Sequence, residues 1–372
     1  MMKTMTKIAL LTSALVGLSL TSTQANAKTY TQKGYGLTAY SSVKSVNNAN
    51  HFVTHSGAYA SSPNYYALNT FQNQPTVYKS NGGNKSATFK TAFFLPVSYQ
   101  RSGQFGNPQS IAMSKNGNEA YIMYTLTGGS NTGFVVHYDL NKLRSIFGAS
   151  SNSMDIIRRA SNAYAKNKLT PQYKSVLAAI KVGPTFNTGH GQSMALNPKT
   201  NQLWFVQTPG TSGGYATVQR LSKTSLKPDT TLKFRLRSGR NNVTMGENLT
   251  FDAKGKAYFS SLVAGSKAMR IYQGSINTKQ TKFKLVQQLK YRPGTINQSV
   301  GYSSKSNRLF LISDDAITSV PVSKLGRLKA KDVHATTFAS GREFEAVVFN
   351  NAGTGYLLTN KGPELLQTNS LN

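Results

Sequence analysis

The sequence predicts an all-β fold assembled from repeated four-stranded units, and three observations carry that expectation. First, five segments open alike: Gln109-Ser-Ile-Ala-Met-Ser, Gln192-Ser-Met-Ala-Leu-Asn, Glu247-Asn-Leu-Thr-Phe-Asp, Gln298-Ser-Val-Gly-Tyr-Ser and Glu345-Ala-Val-Val-Phe-Asn. Second, each opening leads through a Gly- or Asn-bearing turn into a second and then a third apolar run, as hairpins require. Third, the chain stops just after its last third run, so one unit lacks an outer strand that an earlier segment must supply. The openings stand 83, 55, 51 and 47 residues apart. Four antiparallel strands in about 45–50 residues is the unit of a β-propeller blade. A β-sandwich shares the short alternating strands, but it does not start each repeat on the same residue class. The expectation is therefore a propeller of five blades, or six if the N-terminal strands build a blade of their own.

The elements follow in chain order. Residues 1–27 have the form of a signal peptide: Lys3 and Lys7, an apolar stretch from Ile8 to Leu20, and Ala25-Asn26-Ala27 as cleavage site. Residues 28–63 are rich in Tyr, Ser, Asn and Gly and read as an irregular segment, with 64–372 as a single propeller domain. Strands are expected at Tyr65–Thr70, Thr76–Lys79 and Ala87–Leu95, the last being the natural donor to the incomplete blade. The turns after the five openings are Lys115-Asn-Gly-Asn, Lys199-Thr-Asn, Lys254-Gly-Lys, Lys305-Ser-Asn and Asn351-Ala-Gly.

Second strands are expected at Ala120–Tyr124, Leu203–Val206, Ala257–Ser260, Leu309–Ile312 and Gly355–Leu358. Third strands are expected at Phe134–Asp139, Thr217–Leu221, Met269–Gln273, Ala316–Val320 and Glu364–Gln367, and outer strands at Leu232–Arg237 and Phe283–Leu289. The long first interval holds a helical insertion at about 141–184. Thr170-Pro171 has the form of an N-cap with Pro at the first helical position, and Tyr173, Val176, Leu177 and Ile180 keep helical spacing. Met154–Ala165 is expected as a second, shorter helix.

Composition narrows the chemistry. The 372 residues include 43 Lys+Arg, 12 Asp+Glu and no Cys, for a formal net charge of +31. The absence of Cys excludes disulfides, thiolate metal sites, Cys nucleophiles and iron–sulfur clusters. Five histidines, at 51, 55, 137, 190 and 334, make a His-rich metal centre improbable, and Asp314-Asp315 lacks the spaced oxygens of a calcium loop. No metal and no cofactor are expected. The first carboxylate is Glu119, and 16 basic residues from Arg220 to Arg292 face only Asp229, Glu247 and Asp252.

With the openings Gln109-Ser110-Ile111, Gln298-Ser299-Val300 and Glu345-Ala346-Val347 and the strands after them, the chain from about Tyr65 onward resembles the helveticin-type class III bacteriocins, large secreted antibacterial proteins of lactic acid bacteria. The resemblance implies a bladed β fold and action on bacterial envelopes. The chain departs from that family in its basicity and scarcity of acids.

Three sets of residues are candidates for function. Gln109, Gln192, Glu247, Gln298 and Glu345 would ring the central channel, where they either bond neighbouring blades or bind a sugar or cation. His190, between two glycines, with Glu343 and Glu345 is the candidate for acid–base catalysis, although no triad order or metal-ligand spacing supports it. Lys233, Arg235 and Arg237 alternate with Leu232, Phe234 and Leu236, which on a strand sets three cations on one face about 6.6–6.8 Å apart. Lys282 and Lys284 repeat this around Phe283.

Such alternation also guards strand edges, but a whole-chain charge this large attracts polyanions. An exported cation meets teichoic acid or an anionic membrane surface first, and no nucleic-acid-binding module is present. The expected function is non-covalent binding of anionic cell-envelope polymers by a secreted monomer retained electrostatically on the surface. The alternatives are a lyase or hydrolase on an acidic glycan, and an adhesin for host matrix or mucus.

Overall fold

The computed structural model describes residues 27–60, 75–101, 103–126, 131–147, 154–210 and 214–371. The signal-peptide segment and the strand expected at Tyr65–Thr70 fall outside them. The fold is a β-propeller, with six sheets among the described residues, five of which carry a strand at the axis. Blade 1 comprises Asn107–Met113, Glu119–Thr125, Thr132–Asp139 and Ile180–Val182, and blade 2 comprises Ala195–Asn197, Gln202–Thr208, Ala216–Leu221 and Pro228–Phe234. Blade 3 is Thr250–Phe251, Ala257–Leu262, Met269–Ile276 and Thr281–Leu289. Blade 4 is Asn297–Ser303, Arg308–Ser313, Ala316–Pro321 and His334–Thr337. Blade 5 takes Phe344–Phe349, Gly355–Thr359 and Glu364–Thr368 from the C-terminal part and Thr88–Phe94 from the N-terminal part. The five inner strands pack side by side in a closed ring.

Both faces of every blade are buried, which explains why the second strands read as continuous apolar runs. Successive side chains on a strand point to opposite faces, so one strand feeds two cores. In blade 1, Ile122 and Tyr124 enter the core shared with blade 5, whereas Tyr121 and Met123 enter the core shared with blade 2. In blade 4, Leu309 and Leu311 face blade 3 while Phe310 and Ile312 face blade 5. Five such clusters fill the five gaps between blades. All five inner hairpins turn on a residue with positive φ: Gly117, Asn201, Gly255, Asn307 and Gly353.

Ring closure follows the expectation from Ala87–Leu95. Thr88–Phe94 pairs antiparallel with Glu364–Thr368. The buried Glu364 carboxylate fastens the seam, accepting from Thr76 Oγ1 and Thr91 Oγ1, both at 3.1 Å, and from Arg342 Nη1 at 3.2 Å.

The described part of the segment read as irregular, 28–60, instead forms a belt around the rim. Lys28–Thr31 pairs in parallel with Pro228–Phe234 of blade 2, and Ser45–Val46 pairs in parallel with Thr281–Leu289 of blade 3. Tyr35–Gly36 joins Leu236–Ser238 and Asn241–Asn242 in the sixth, three-stranded sheet. Farther on, Gly82–Gly83 borders blade 4 and Val77–Lys79 borders blade 5. Strands this short, without sustained alternation, give no period-2 signal; their hydrogen-bond partners come from the blade edges they cover.

The insertion differs from expectation in three ways. A third helix, Leu140–Phe147, joins the two expected ones, and its start coincides with the exit of the preceding strand. Ile156–Ala165 is the longer helix, not the shorter. Pro171–Leu177 is capped by Thr170 as expected, but it ends before Ile180, which begins the outer strand of blade 1. A buried apolar residue one turn on satisfies helix and strand patterns alike.

Candidate functional site

The inner strands run in one direction along the axis, so their first residues gather at one end of the channel and their hairpins at the other. At the first end, Gln192, Gln298 and Glu345 meet. Gln192 Nε2 donates to Gln298 Oε1 and, at 3.3 Å, to Glu345 Oε2. Gln298 Nε2 donates to Asp314 Oδ1 at 2.9 Å, and the same oxygen accepts from the Phe344 amide at 3.0 Å. Asp314 Oδ2 accepts from the Tyr59 hydroxyl at 2.7 Å. Gln109 is also buried, and its Oε1 has no hydrogen-bond partner among the described residues. Glu247 is half-buried and stands outside this set among the described residues. Four of the five opening residues are thus buried at the axis, three of them joined by hydrogen bonds across blades 2, 4 and 5.

The electrostatics of this end are set by burial of several acids together. Glu345 is fully buried, and its carboxyl is held well above the ordinary range by desolvation, reinforced by the nearby charges of Glu343 and Asp314. Glu343 is raised for the same reason, opposed by Lys361 at 3.8 Å and by the fields of His190 and His55. Asp314 is raised by burial against the hydrogen bonds from Tyr59, Gln298 and the Phe344 amide. His190 is exposed and lies close enough for its charge to act on Glu343, so the three catalytic candidates do share one end.

The belt supplies what the sequence did not announce. His55 stacks on Tyr59 with ring centroids 4.8 Å apart, and the His55 amide is tied to Thr295 Oγ1 at 2.9 Å. Val53 bridges Gly294, and the Ala60 amide donates to Gly341 O. This stretch is thus tied to the same end of the channel as the acid cluster, through Tyr59 on Asp314. The sequence signal for the place of Asp314 is two adjacent acids, Asp314 and Asp315, in a turn of an acid-poor chain. Among the described residues no group of three or more His, Asp or Glu is placed to hold a metal ion.

A cavity of about 370 Å³ lies within the ring of inner strands and reaches the hairpin end at Lys115 and Lys305. Gln192, Ser110 and Ser299 line it along with Ile111, Val300, Val347 and other inner-strand side chains.

The outer-strand cations divide. Lys282 and Lys284 are exposed on either side of buried Phe283, as alternation requires. Lys233 is exposed on the outer strand of blade 2, but that strand ends at Phe234. Arg235 is half-buried with its guanidinium 4.2 Å from the Tyr215 ring centroid, and Arg237 is exposed in the sixth sheet. Burial still alternates from Lys233 through Arg237, with the run divided between two sheets. The chain changes pairing partner at Arg235, while Phe234 and Leu236 both stay in the core between blades 2 and 3.

No protein-family model matches the chain, and no curated protein sequence matches it. Solved structures resemble the chain at low identity. The soluble aldose sugar dehydrogenase of Escherichia coli is 12% identical, with a TM-score of 0.35 over 72% of this chain and 97% of that one. TolB from Acinetobacter baumannii is 9% identical, with a TM-score of 0.33 over 78% and 62%. A Bacteroides thetaiotaomicron protein of unknown function is 8% identical, with a TM-score of 0.40 over 88% and 75%. Likenesses this distant carry no argument about what the chain binds or catalyses.

Proposed function

We propose that this chain is an exported, strongly cationic propeller that binds anionic polymers of the bacterial cell envelope non-covalently, with teichoic acid as partner. Antibacterial action of the helveticin kind would follow from that binding. One observation supports the reading most. Seven of the 12 carboxylates (Asp155, Asp252, Asp314, Asp315, Asp332, Glu345 and Glu364) are buried, whereas among the described Lys and Arg only Arg158, Arg308 and Arg342 are buried. The surface is therefore more one-sided than the formal charge of +31. A field of that kind draws polyanions from solution and falls off over a Debye length of about 8 Å at physiological salt. Lys233, Arg237, Lys282 and Lys284 contribute to it as exposed charges.

The test is incubation of the purified protein with whole cells and with purified walls, reading bound protein, soluble product and lysis together. Binding without product supports the proposal. A second reading, a lyase or hydrolase on an acidic glycan, draws on the raised carboxyls of Glu343 and Glu345 beside His190, since a carboxyl kept protonated is a general acid. Release of soluble fragments that is lost in His190→Ala would favour it.

A further inference from the structure

Four of the five inner hairpins carry a lysine at the corner where the inner strand ends: Lys115, Lys199, Lys254 and Lys305. Asn351 holds that position in blade 5. The hairpins are joined into a rim. The Asn351 amide donates to Lys115 O at 2.7 Å, and Ser304 Oγ reaches Asn351 Oδ1 at 3.4 Å. Tyr302 meets the Ala253 backbone, and Asn197 and Lys199 pack against Gly255. Lys223 closes the circle between blades 1 and 2, with its Nζ 3.2 Å from Asn201 Oδ1 and 3.5 Å from Glu119 Oε2. The four corner lysines are exposed, and none is in an ion pair among the described residues.

The rim surrounds the cavity, and Lys115 and Lys305 line it directly. Below them the wall mixes apolar side chains with Ser110, Gln192, Thr250 and Ser299, and of these Ser110 and Gln192 are already hydrogen-bonded within the protein. Ser299 is 6% exposed, and its hydroxyl is buried without a hydrogen-bond partner among the described residues. Buried hydroxyls in native proteins are nearly always paired, so this one calls for a group the protein itself does not supply.

We infer that this mouth is where the polymer binds: the end of a slim phosphate-bearing polyol chain enters the channel, its phosphates on the lysine rim and its polyol against Ser299. Lysine acts on phosphate as a point charge with no demand for a fixed approach, which suits a flexible chain. A cavity of about 370 Å³ is at the small end of ligand sites and admits one chain end rather than a duplex or a folded partner. The inference rests on the envelope-polymer reading and adds the place and the ligand chemistry.

The experiment compares binding of purified poly(glycerol phosphate) to the unaltered protein and to two variants of equal charge. One carries Lys115→Gln, Lys199→Gln, Lys254→Gln and Lys305→Gln; the other carries Lys233→Gln, Arg237→Gln, Lys282→Gln and Lys284→Gln. Thermal melts confirm that both fold. With each exposed contact worth a factor of about two, the rim variant should bind roughly tenfold more weakly, and the outer-strand variant should lose about half that or less. Ser299→Ala should weaken binding further at high salt, where the lysines are screened. Equal losses in the two variants would overturn the mouth while leaving the envelope-polymer reading in place. No binding by the unaltered protein would overturn both.

Discussion

The two ends of the channel are built by the same five strands, yet they solve opposite problems. At the first end Gln192, Gln298, Glu345 and Asp314 are buried and bonded to one another, and the belt adds Tyr59. At the other end Lys115, Lys199, Lys254 and Lys305 are exposed and outside any ion pair among the described residues. Repetition thus has two consequences in one molecule. Where the repeated residue is buried it needs a partner, and Gln192, Gln298 and Glu345 supply it to one another across the axis. Where the repeated residue is a lysine on a turn, the copies repel, and they are tolerated only because water and salt screen them. The first end concerns stability, and the second is free to concern binding.

Substitutions should separate the ends, and the largest effect belongs to Asp314. Asp314→Ala leaves the Tyr59 hydroxyl, the Gln298 amide and the Phe344 amide without their acceptor, and should cost about 3 kcal/mol in urea unfolding. A loss comparable to a surface substitution would mean that the cluster is not the fastening described.

Glu345→Gln comes next, with the opposite sign. A carboxyl whose folded pKa is raised stabilises the fold fully below its ordinary value of 4.5, and that contribution is lost as pH rises through the folded value. At pH 7 the charged form is therefore penalised, and the amide should be more stable than the acid by about 1 kcal/mol. The variant should also show a flatter stability profile from pH 4.5 upward. Thermal melts across that range measure it, and an unchanged profile would show that Glu345 is not what titrates.

Tyr59→Phe removes one hydrogen bond and should cost about 1 kcal/mol. Faster amide exchange should be confined to residues 53–60, because the belt there is held by Asp314 and a few backbone bonds. Smallest of all, single Lys→Gln changes at Lys115, Lys199, Lys254 or Lys305 should alter stability by no more than about 0.5 kcal/mol. A larger loss would place the rim in the architecture after all.

What the sequence disclosed follows the same division. The inner, second and third strands were legible because both blade faces are buried, so the second strands read as short continuous apolar runs bounded by turns, as in Ala120–Tyr124 and Leu309–Ile312. Gln192, Gln298 and Glu345 were legible as an axial set because they begin equivalent strands. Asp314 was not, since it reaches the axis from the turn after a second strand, and no repeat marks it. Tyr59 and His55 were hidden further, in a segment whose order depends on blade edges remote in sequence. The cations at Lys233, Arg235 and Arg237 show a limit of pattern. Alternation continued in the sequence past Phe234, but the strand changed sheets there, and pattern alone does not register a change of partner.

The central claim is that the protein is held on bacterial surfaces by charge. The direct measurement is retention on purified Gram-positive walls, with and without teichoic acid, over a salt series from low ionic strength to about 1 M, where the Debye length falls to roughly 3 Å. The account predicts strong retention at low salt, a steep fall as salt rises, and little retention on stripped walls at any salt. Retention indifferent both to salt and to removal of teichoic acid would contradict it.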